Sequence, residues 1–278
     1  MPEPAFVTRF APSPTGWLHR GHAFSALTAF AAAQAAGGRF LLRIEDIDRT
    51  RCRPEYEASI YQDLAWIGID WEAPVRRQSE HMADYDAALE RLRTMGVLYR
   101  CFRTRSELSD AFAAAPHGPM DAFRGQPLPP EEEARRVAAG EPFAWRLSLD
   151  AARARLGGFD GLTLRIEGEG EARARPDVGG DIVLARKDAR VAYHLASVVD
   201  DAVQGVTHVI RGMDLADAAH VHRLLQALLG LPAPIYRHHR LILGADGKRL
   251  AKRDRSETLR ELRARGMTPQ DLRGELGF

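Results

Sequence analysis

Apolar and polar positions alternate in a way that predicts strands and helices in turn over the first hundred residues. The stretches "AFVTRF" and "RFLLRI" are rich in Phe, Val, Leu and Ile and predict strands. Helices are predicted for "GHAFSALTAFAAAQAAGG", for the segment from Pro54 to Gly68, and for a segment from a Ser79 cap to Gly96. Strands that alternate with helices favour a parallel sheet covered on both faces.

The pattern changes between residues 101 and 190. Glycine and proline interrupt "APHGPMDAFRGQPLPP", and "FAWRLSL", "LTLRIEG" and "DIVLAR" then predict short strands. We interpret residues 101–190 as an inserted α+β subdomain. The strand–helix pattern returns from residue 191, and the last segment, residues 256–278, is predicted to hold two short helices that start at Ser256 and Thr268.

Composition and charge describe an ordinary globular protein. The chain has 278 residues, of which 45% are hydrophobic and 28% are charged, and its net charge is +1. A charge near zero does not point to nucleic acid, but a local basic face balanced by acidic residues elsewhere would still allow such binding.

Apolar runs and cysteines in the sequence bear on where the protein is located. No apolar run reaches the length of a membrane span, and the first residues lack the apolar stretch of a signal peptide. The two cysteines, Cys52 and Cys101, form neither a disulfide framework nor a metal knuckle. We therefore expect a cytoplasmic protein without a membrane partner.

Lysine is scarce in this chain, yet two of its three lysines lie within five residues in "GADGKRLAKRDR". Lys248 and Lys252 could supply a compact, mobile charge for phosphates, a task that suits an ammonium better than the planar guanidinium. The alternative is a solvated turn, because Asp246–Gly247 is a strong hairpin signal.

The stretch "TRFAPSPTGWLHRGH" combines a strand, a loop stiffened by two prolines, and the start of a long helix. It places His19 and His22 on the first helical turn, where free N–H groups and the helix dipole attract phosphate. Gly21 would leave room for a base or ribose. Taken alone, a His-x-x-His pair could equally bind a metal or lie on the surface.

Five segments in order carry a resemblance to a known family. "FAPSPTGWLHRGH" resembles the signature of class I aminoacyl-tRNA synthetases, with the HIGH motif at residues 19–22, and "GKRLAKR" is similar to the KMSKS loop of the glutamyl members, at residues 249–253. "RIEDID", "VVDD" and "THVIRGMDL" are also similar to glutamyl-tRNA synthetase segments. Arg20 replaces the usual aliphatic residue, which we expect to matter little. Ala251 replaces the usual serine, which removes a hydroxyl but leaves the lysine.

The resemblance implies a fold and a division into domains. It covers most of the chain, least clearly at residues 103–180. The implied fold is α/β: a Rossmann-type parallel sheet, an inserted α+β subdomain, a short helical C-terminus and no anticodon-binding domain. The expected domains are a split catalytic domain at 1–100 and 191–255, the insert at 101–190, and C-terminal helices at 256–278.

The same resemblance implies side chains that bind glutamate. The family's counterpart of Arg9 meets the substrate's side-chain carboxylate, a role suited to a guanidinium because it can form two parallel hydrogen bonds. Glu45 matches the carboxylate that holds the α-ammonium, with a strand-end salt bridge to Arg43 or Arg49 as the structural alternative. The other implied glutamate contacts are Ala11, Ser13, Tyr193 and Arg211. Tyr193 could also be a core aromatic.

For ATP, the resemblance implies Mg²⁺ and a set of contacts in which His19, His22 and Lys252 are also catalytic. Lys252 matches the lysine on the pyrophosphate side, and Asp214 an acidic position beside the ribose. The implied ATP contacts are His19, Gly21, His22, Asp214, Leu250 and Lys252. Asp200 and Asp201 of "VVDD" are expected to be structural.

The short chain after the lysine loop and "RGMDL" resemble the glutamyl-queuosine tRNA(Asp) synthetase paralogues. The resemblance implies a monomer that activates L-glutamate with ATP and transfers it to queuosine in the tRNA(Asp) anticodon loop, with Arg124, Arg135 and Arg136 as candidate phosphate contacts. The alternatives are a glutamyl-tRNA synthetase core that charges the tRNA 3′ end, and a non-enzymatic tRNA-binding or regulatory relative.

The paralogue family often carries a zinc site in the insert. Here Tyr99 and Cys101 match its start, but Arg103 stands in place of the second cysteine, and one thiolate does not make a four-ligand site. His117 and Asp121 would be weak substitutes. We therefore predict no zinc, and an insert held by apolar packing, with these candidates: Phe112, Phe123, Phe143 and Trp145.

Overall fold

The computed structural model describes residues 5–103, 123–186, 190–242 and 257–278. The strands are β1 (Val7–Phe10), β2 (Arg39–Ile44), β3 (Glu72–Arg77), β4 (Leu98–Cys101), β5 (Ala144–Leu147), β6 (Thr163–Ile166), β7 (Gly170–Arg173), β8 (Val183–Arg186), β9 (His208–Gly212) and β10 (Ile235–His239). The α-helices are α1 (Arg20–Ala35), α2 (Pro54–Trp66), α3 (Met82–Thr94), α4 (Pro130–Ala138), α5 (Leu149–Leu156), α6 (Tyr193–Val203), α7 (Ala216–Leu229), α8 (Leu259–Ala264) and α9 (Pro269–Leu276).

The chain divides into two compact units. The first comprises Met1–His81, Gly205–Ala216 and Pro234–Phe278, and the second comprises Met82–Gln204 and Asp217–Ala233. These boundaries differ from those of the predicted domains, since residues 82–100, 191–204 and 217–233 fall in the second unit. The domain division remains a prediction.

Parallel strands form the frame of the first unit. β1 pairs with β2 and β2 with β3, both in parallel. β9 pairs in parallel with β10 and begins beside the start of β1, where the N–H of Thr207 donates to the carbonyl of Val7 at 2.9 Å. The connections of β1 to β2 and of β2 to β3 run through α1 and α2. This confirms the predicted α/β class and its parallel sheet.

Local sequence signals explain where the helices of this unit begin and end. α2 starts with Pro54 at its first turn and is followed by Gly68, whose φ of 75° suits glycine. α9 starts after Thr268, which caps the backbone N–H of Asp271, and Gly277 follows in the left-handed conformation. The apolar core includes Leu18, Leu27, Leu42, Ile60 and Leu64, none more than 2% exposed.

The second unit contains antiparallel strands. β4, β5 and β8 form an antiparallel sheet, and β6 and β7 form a hairpin. The strands predicted from "FAWRLSL", "LTLRIEG" and "DIVLAR" are thus confirmed. The hydroxyl of Tyr85, on α3, donates to both carboxylate oxygens of Asp200 at 2.8 and 2.9 Å, which supports a structural role for Asp200.

One predicted helix start is wrong, and another lies outside the described residues. Ser79 does not cap α3, which begins at Met82 after a short 3-10 turn at Gln78–Glu80. Instead its N–H and hydroxyl donate to the carboxylate of Asp46 at 2.8 and 2.5 Å, so that prediction is wrong. Ser256 lies outside the described residues, and the cap of α8 is Thr258.

Candidate active site

The candidate site lies at the carboxyl ends of the strands in the first unit. Residues 11–18 leave the end of β1 and lead into α1, while β9 begins on the other side of β1 from β2. The order of the strands therefore reverses beside β1. Ligands of open α/β sheets bind at such a reversal point, outside the carboxyl ends of the strands.

His19 and His22 cap the start of α1 reciprocally. Nδ1 of His19 accepts the N–H of Gly21 at 3.1 Å, and Nδ1 of His22 accepts the N–H of His19 at 3.2 Å. Their ring centroids lie 3.8 Å apart. Because each Nδ1 accepts, the neutral rings carry their protons on Nε2. The pair thus presents two Nε2–H donors at the positive end of a helix, an arrangement suited to phosphate oxygens.

Gly21 fits closely against the ring of His19. A Cβ placed on Gly21 would lie 3.0 Å from Cε1 of His19 and 3.2 Å from its Nδ1. Any larger residue would press against the ring that folds back over the backbone. The sequence suggested that Gly21 leaves room for a nucleotide, and the structure adds that it leaves room for His19.

Glu45 follows β2 and adjoins residues 11–18, which we call the signature loop. Its N–H donates to the carbonyl of Pro12 at 3.1 Å, which brings the backbone between Ala11 and Ser13 beside it. Oε1 of Glu45 also lies 3.2 Å from a guanidinium nitrogen of Arg43. The structural alternative, a salt bridge to Arg43, is therefore present, and it coexists with a placement beside the loop.

Arg9 and Arg211 place two buried cations on β1 and β9. Their exposed fractions are 5% and 4%. The guanidinium carbon of Arg211 lies 5.4 Å from the centroid of the Tyr236 ring. Guanidinium groups at the ends of these strands suit a carboxylate substrate, because a guanidinium can form two parallel hydrogen bonds with a carboxylate.

Asp214 is exposed on a 3-10 turn that directly follows β9. Its carboxylate folds back over the strand end, since a Cβ on Gly212 would lie 2.5 Å from Oδ1. His239, at the end of β10, pairs in register with Gly212. Burial lowers the pKa of His239, although Asp214 acts in the opposite direction. Sequence analysis did not identify His239, whose signal is only its place at a strand end.

The other predicted residues lie outside the first unit or outside the described part of the chain. Tyr193 is the first residue of α6 in the second unit, with its ring centroid 5.6 Å from that of His222. Its role in the site stays a prediction. Leu250 and Lys252 lie outside the described residues, as do Phe112, His117 and Asp121.

The arginines proposed to meet tRNA phosphates are paired within the second unit. Arg124 contacts Asp177 at 2.6 Å, and Arg136 contacts Glu132 at 2.8 Å. Arg135 lies 4.0 Å from Glu132 as well. Each of these surface pairs contributes little to stability. The carboxylates nevertheless offset the positive charge of the three arginines, so these residues do not form an uncompensated basic surface.

The described residues contain no group of three or more His, Cys, Asp or Glu side chains arranged to hold a metal ion. In the described segments, no helix is both long and apolar enough to cross a membrane. The absence of zinc remains a prediction.

Comparisons with known proteins agree with this geometry. Residues 5–276 match the family described as tRNA synthetases class I (E and Q), catalytic domain. The chain is 47% identical to a glutamyl-Q tRNA(Asp) synthetase of Rhodobacter capsulatus over 98% of its own length and 100% of that protein. It is 43% identical to one of Symbiobacterium thermophilum, over 97% of this chain and 85% of that protein.

Longer relatives match over part of their length. A glutamate–tRNA ligase of Synechococcus is 38% identical over 95% of this chain and 56% of that protein. The crystal structure of a glutamate-tRNA synthetase from Elizabethkingia anophelis superposes with a TM-score of 0.76 at 32% identity, covering 90% of this chain and 53% of that one. The chain thus spans about half the length of those enzymes. Taken with the family match, these findings show that the chain belongs to the class I tRNA synthetases for glutamate and glutamine, a family of ligases.

Proposed function

We propose that this chain activates L-glutamate with ATP and transfers the glutamyl group to the queuosine nucleoside at the wobble position of tRNA(Asp). The observation that carries the proposal is the 47% identity to a glutamyl-Q tRNA(Asp) synthetase over the whole length of that protein. The side chains of the first unit supply a chemical rationale for the activation step.

In the first step, an oxygen of the substrate's α-carboxylate attacks the α-phosphorus of ATP. The bond from that phosphorus to the bridging oxygen breaks, and pyrophosphate leaves. The Nε2–H groups of His19 and His22 would donate to phosphate oxygens as negative charge grows on them. Glu45 would hold the α-ammonium, and Arg9 would meet the side-chain carboxylate of glutamate. Arg211 would be a further glutamate contact, and Asp214 would lie beside the ribose.

Lys252 is proposed to act on the departing phosphates, as its match to the family's lysine implies. Mg²⁺ would arrive with ATP, whose phosphates are its usual partners. Tyr193, Ala11 and Ser13 are proposed to complete the glutamate site.

In the second step, a hydroxyl of the queuosine cyclopentene diol attacks the carbonyl carbon of the glutamyl-adenylate. An ester forms, the bond from carbon to the phosphate oxygen breaks, and AMP leaves. A diol resembles the ribose diol that synthetases acylate, so a single site could serve either acceptor. The second candidate is therefore transfer to the tRNA 3′ end, which is favoured by the 38% identity to a glutamate–tRNA ligase.

The acceptor can be identified by removing one of the two diols. Queuosine-containing tRNA(Asp) is treated enzymatically to remove its terminal adenosine, then incubated with the chain, ATP and labelled glutamate. Labelling that survives supports transfer to queuosine. Label that disappears would mean that the 3′ end is the acceptor. Matched tRNA(Asp) with guanosine in place of queuosine is the control and should remain unlabelled.

A further inference from the structure

The segment before and within α8 lies antiparallel to the end of the signature loop, residue against residue. His19 and Thr258 form an antiparallel bridge, and the N–H of Leu259 donates to the carbonyl of Leu18 at 2.8 Å. The guanidinium carbon of Arg260 lies 5.0 Å from the centroid of Trp17. A guanidinium nitrogen of Arg20 lies 3.2 Å from Oε2 of Glu257. We call residues 17–20 and 257–260 the paired segments.

The pairing joins the beginnings of two helices. His19 is the N-cap of α1, and Thr258 is the N-cap of α8. Leu18 and Leu259 are 2% and 0% exposed within one apolar core. Packing therefore holds the backbone of both segments, and it fixes the first turn of α1 relative to the start of α8.

Arg20 adds the charged part of this connection. It lies directly between His19 and Gly21, and its guanidinium contacts Glu257 at one nitrogen and Glu275 at another, each at 3.2 Å. About a quarter of its side chain, 25%, is exposed. Glu257 is also paired with Arg265. An anchored Arg20 side chain limits rotation of the turn that carries both histidine rings.

We infer that Arg20 and Glu257 are positioning residues for the His19–His22 pair, a role that rests on the proposed activation of glutamate. This inference departs from the expectation of the sequence analysis that Arg20 matters little. A small displacement of groups that meet the transition state is enough to lower a catalytic rate strongly. Neither side chain needs to touch the substrate for this effect.

Glutamate-dependent ATP–pyrophosphate exchange tests the inference. Arg20→Gln and Glu257→Gln should each lower the rate at saturating substrates ~10-fold, while KM for glutamate stays within ~2-fold because Arg9 and Glu45 lie outside the paired segments. The double variant should be no slower than the slower single variant, since both changes remove the same connection between Arg20 and Glu257. Arg20→Lys should recover most of the rate.

Two control variants isolate the pair. Glu275→Gln removes the other carboxylate from Arg20, and Arg265→Gln removes the other cation from Glu257. Both should exchange at close to the wild-type rate, because Arg20 keeps its contact with Glu257 in each variant. The inference would be overturned if the single variants exchanged as fast as an active wild type. It would also be overturned if the losses of rate multiplied in the double variant, or if the control variants lost as much rate as Arg20→Gln and Glu257→Gln.

A second measurement separates this inference from the proposed function. In ¹⁵N-histidine NMR spectra, the ring signals of His19 and His22 are assigned with the variants His19→Asn and His22→Asn. Arg20→Gln should shift both of these ring signals, whereas Arg265→Gln should not. If the wild type shows no exchange, the proposed function fails, but the ring shifts still decide the positioning role. Unchanged ring signals in Arg20→Gln would overturn it.

Discussion

A guanidinium nitrogen of Arg43 lies 3.2 Å from Oε1 of Glu45, and the two side chains are 0% and 8% exposed. Breaking a buried ion pair by removing one partner costs about 3–5 kcal/mol. Arg43→Met should therefore lower the free energy of unfolding by roughly that amount, as measured by urea denaturation.

A double variant separates stability from substrate binding at this pair. Arg43→Met combined with Glu45→Gln should regain a large part of the lost stability, because both members of the ion pair are then uncharged. It should still bind glutamate poorly, because the proposed partner of the α-ammonium is gone. The exposed pair of Arg39 and Glu72 is the control, and its loss should cost at most about 1 kcal/mol. Normal glutamate binding by the double variant would contradict the role given to Glu45.

The reciprocal caps of His19 and His22 allow the capping role and the chemical role to be separated. His19→Asn keeps an acceptor suited to a helix N-cap but removes the Nε2–H donor. We expect the melting temperature to change little and the exchange rate to fall about 10²-fold or more, as for the loss of one donor to a transition state. A rate within a few-fold of wild type would mean that His19 only caps the helix.

Local signals predicted those parts of the fold that neighbouring residues determine. Pro54 and Gly68 bound α2, and Thr268 starts α9, because capping depends on residues within one turn. The sequence analysis did not predict β3, since "EAPVRR" is polar and contains a proline, and its pairing with β2 is what makes it a strand.

Contacts between distant residues account for the errors. Ser79 has the chemistry of a helix cap, but Asp46 engages both of its donors. The pairing of Arg20 with Glu257 joins positions far apart in sequence, and no local pattern indicates it. The motif residues were identified because their sequence matches a family, whereas the residues that support them have no such signal.

Cys52 lies beside the acidic segment that follows β2, and this setting predicts a slow reaction with alkylating agents. Burial, together with Asp46 and Asp48, raises the pKa of its thiol to about 11. Only the thiolate reacts, so carboxymethylation by iodoacetate at pH 8 should be far slower than for a free cysteine and should accelerate up to about pH 11. Unfolded chain in urea is the control, and it should react at the ordinary rate. Fast labelling of Cys52 in the folded chain at pH 8 would contradict this environment.

Lys252 and Lys248 provide a matched pair for testing the phosphate role in the lysine-poor chain. Lys252→Ala should reduce the exchange rate strongly and leave glutamate binding nearly unchanged, because its charge is proposed to act on the departing pyrophosphate. Lys252→Arg should also be impaired, since a planar fork replaces a compact charge. Lys248→Ala controls for loss of charge nearby. Equal rates in Lys252→Ala and wild type would end the assignment.

We expect the carboxylate of Asp181, rather than zinc, to hold parts of the insert together. The carboxylate of Asp181 is 3% exposed and accepts hydrogen bonds from the hydroxyl of Tyr99 at 3.0 Å, from the N–H of Gly125 at 2.8 Å and from the N–H of Leu149 at 2.9 Å. Burial and Asp181 both raise the pKa of Tyr99, so its hydroxyl remains a donor. Asp181→Ala would leave these donors without their acceptor and should lower the free energy of unfolding by roughly 3 kcal/mol.

Cys101, on β4 beside Tyr99, is the matched control for that variant. Cys101→Ala should cost less than about 1 kcal/mol, because a buried thiol outside a metal site acts as a small apolar group. Protein purified without chelator should contain well below one zinc per chain, and EDTA should leave the urea midpoint unchanged. A structural zinc contributes on the order of 10 kcal/mol to folding in small domains, so a bound ion would be evident in both measurements. Stoichiometric zinc together with a large loss in Cys101→Ala would show that the insert depends on the metal and that Asp181 is secondary.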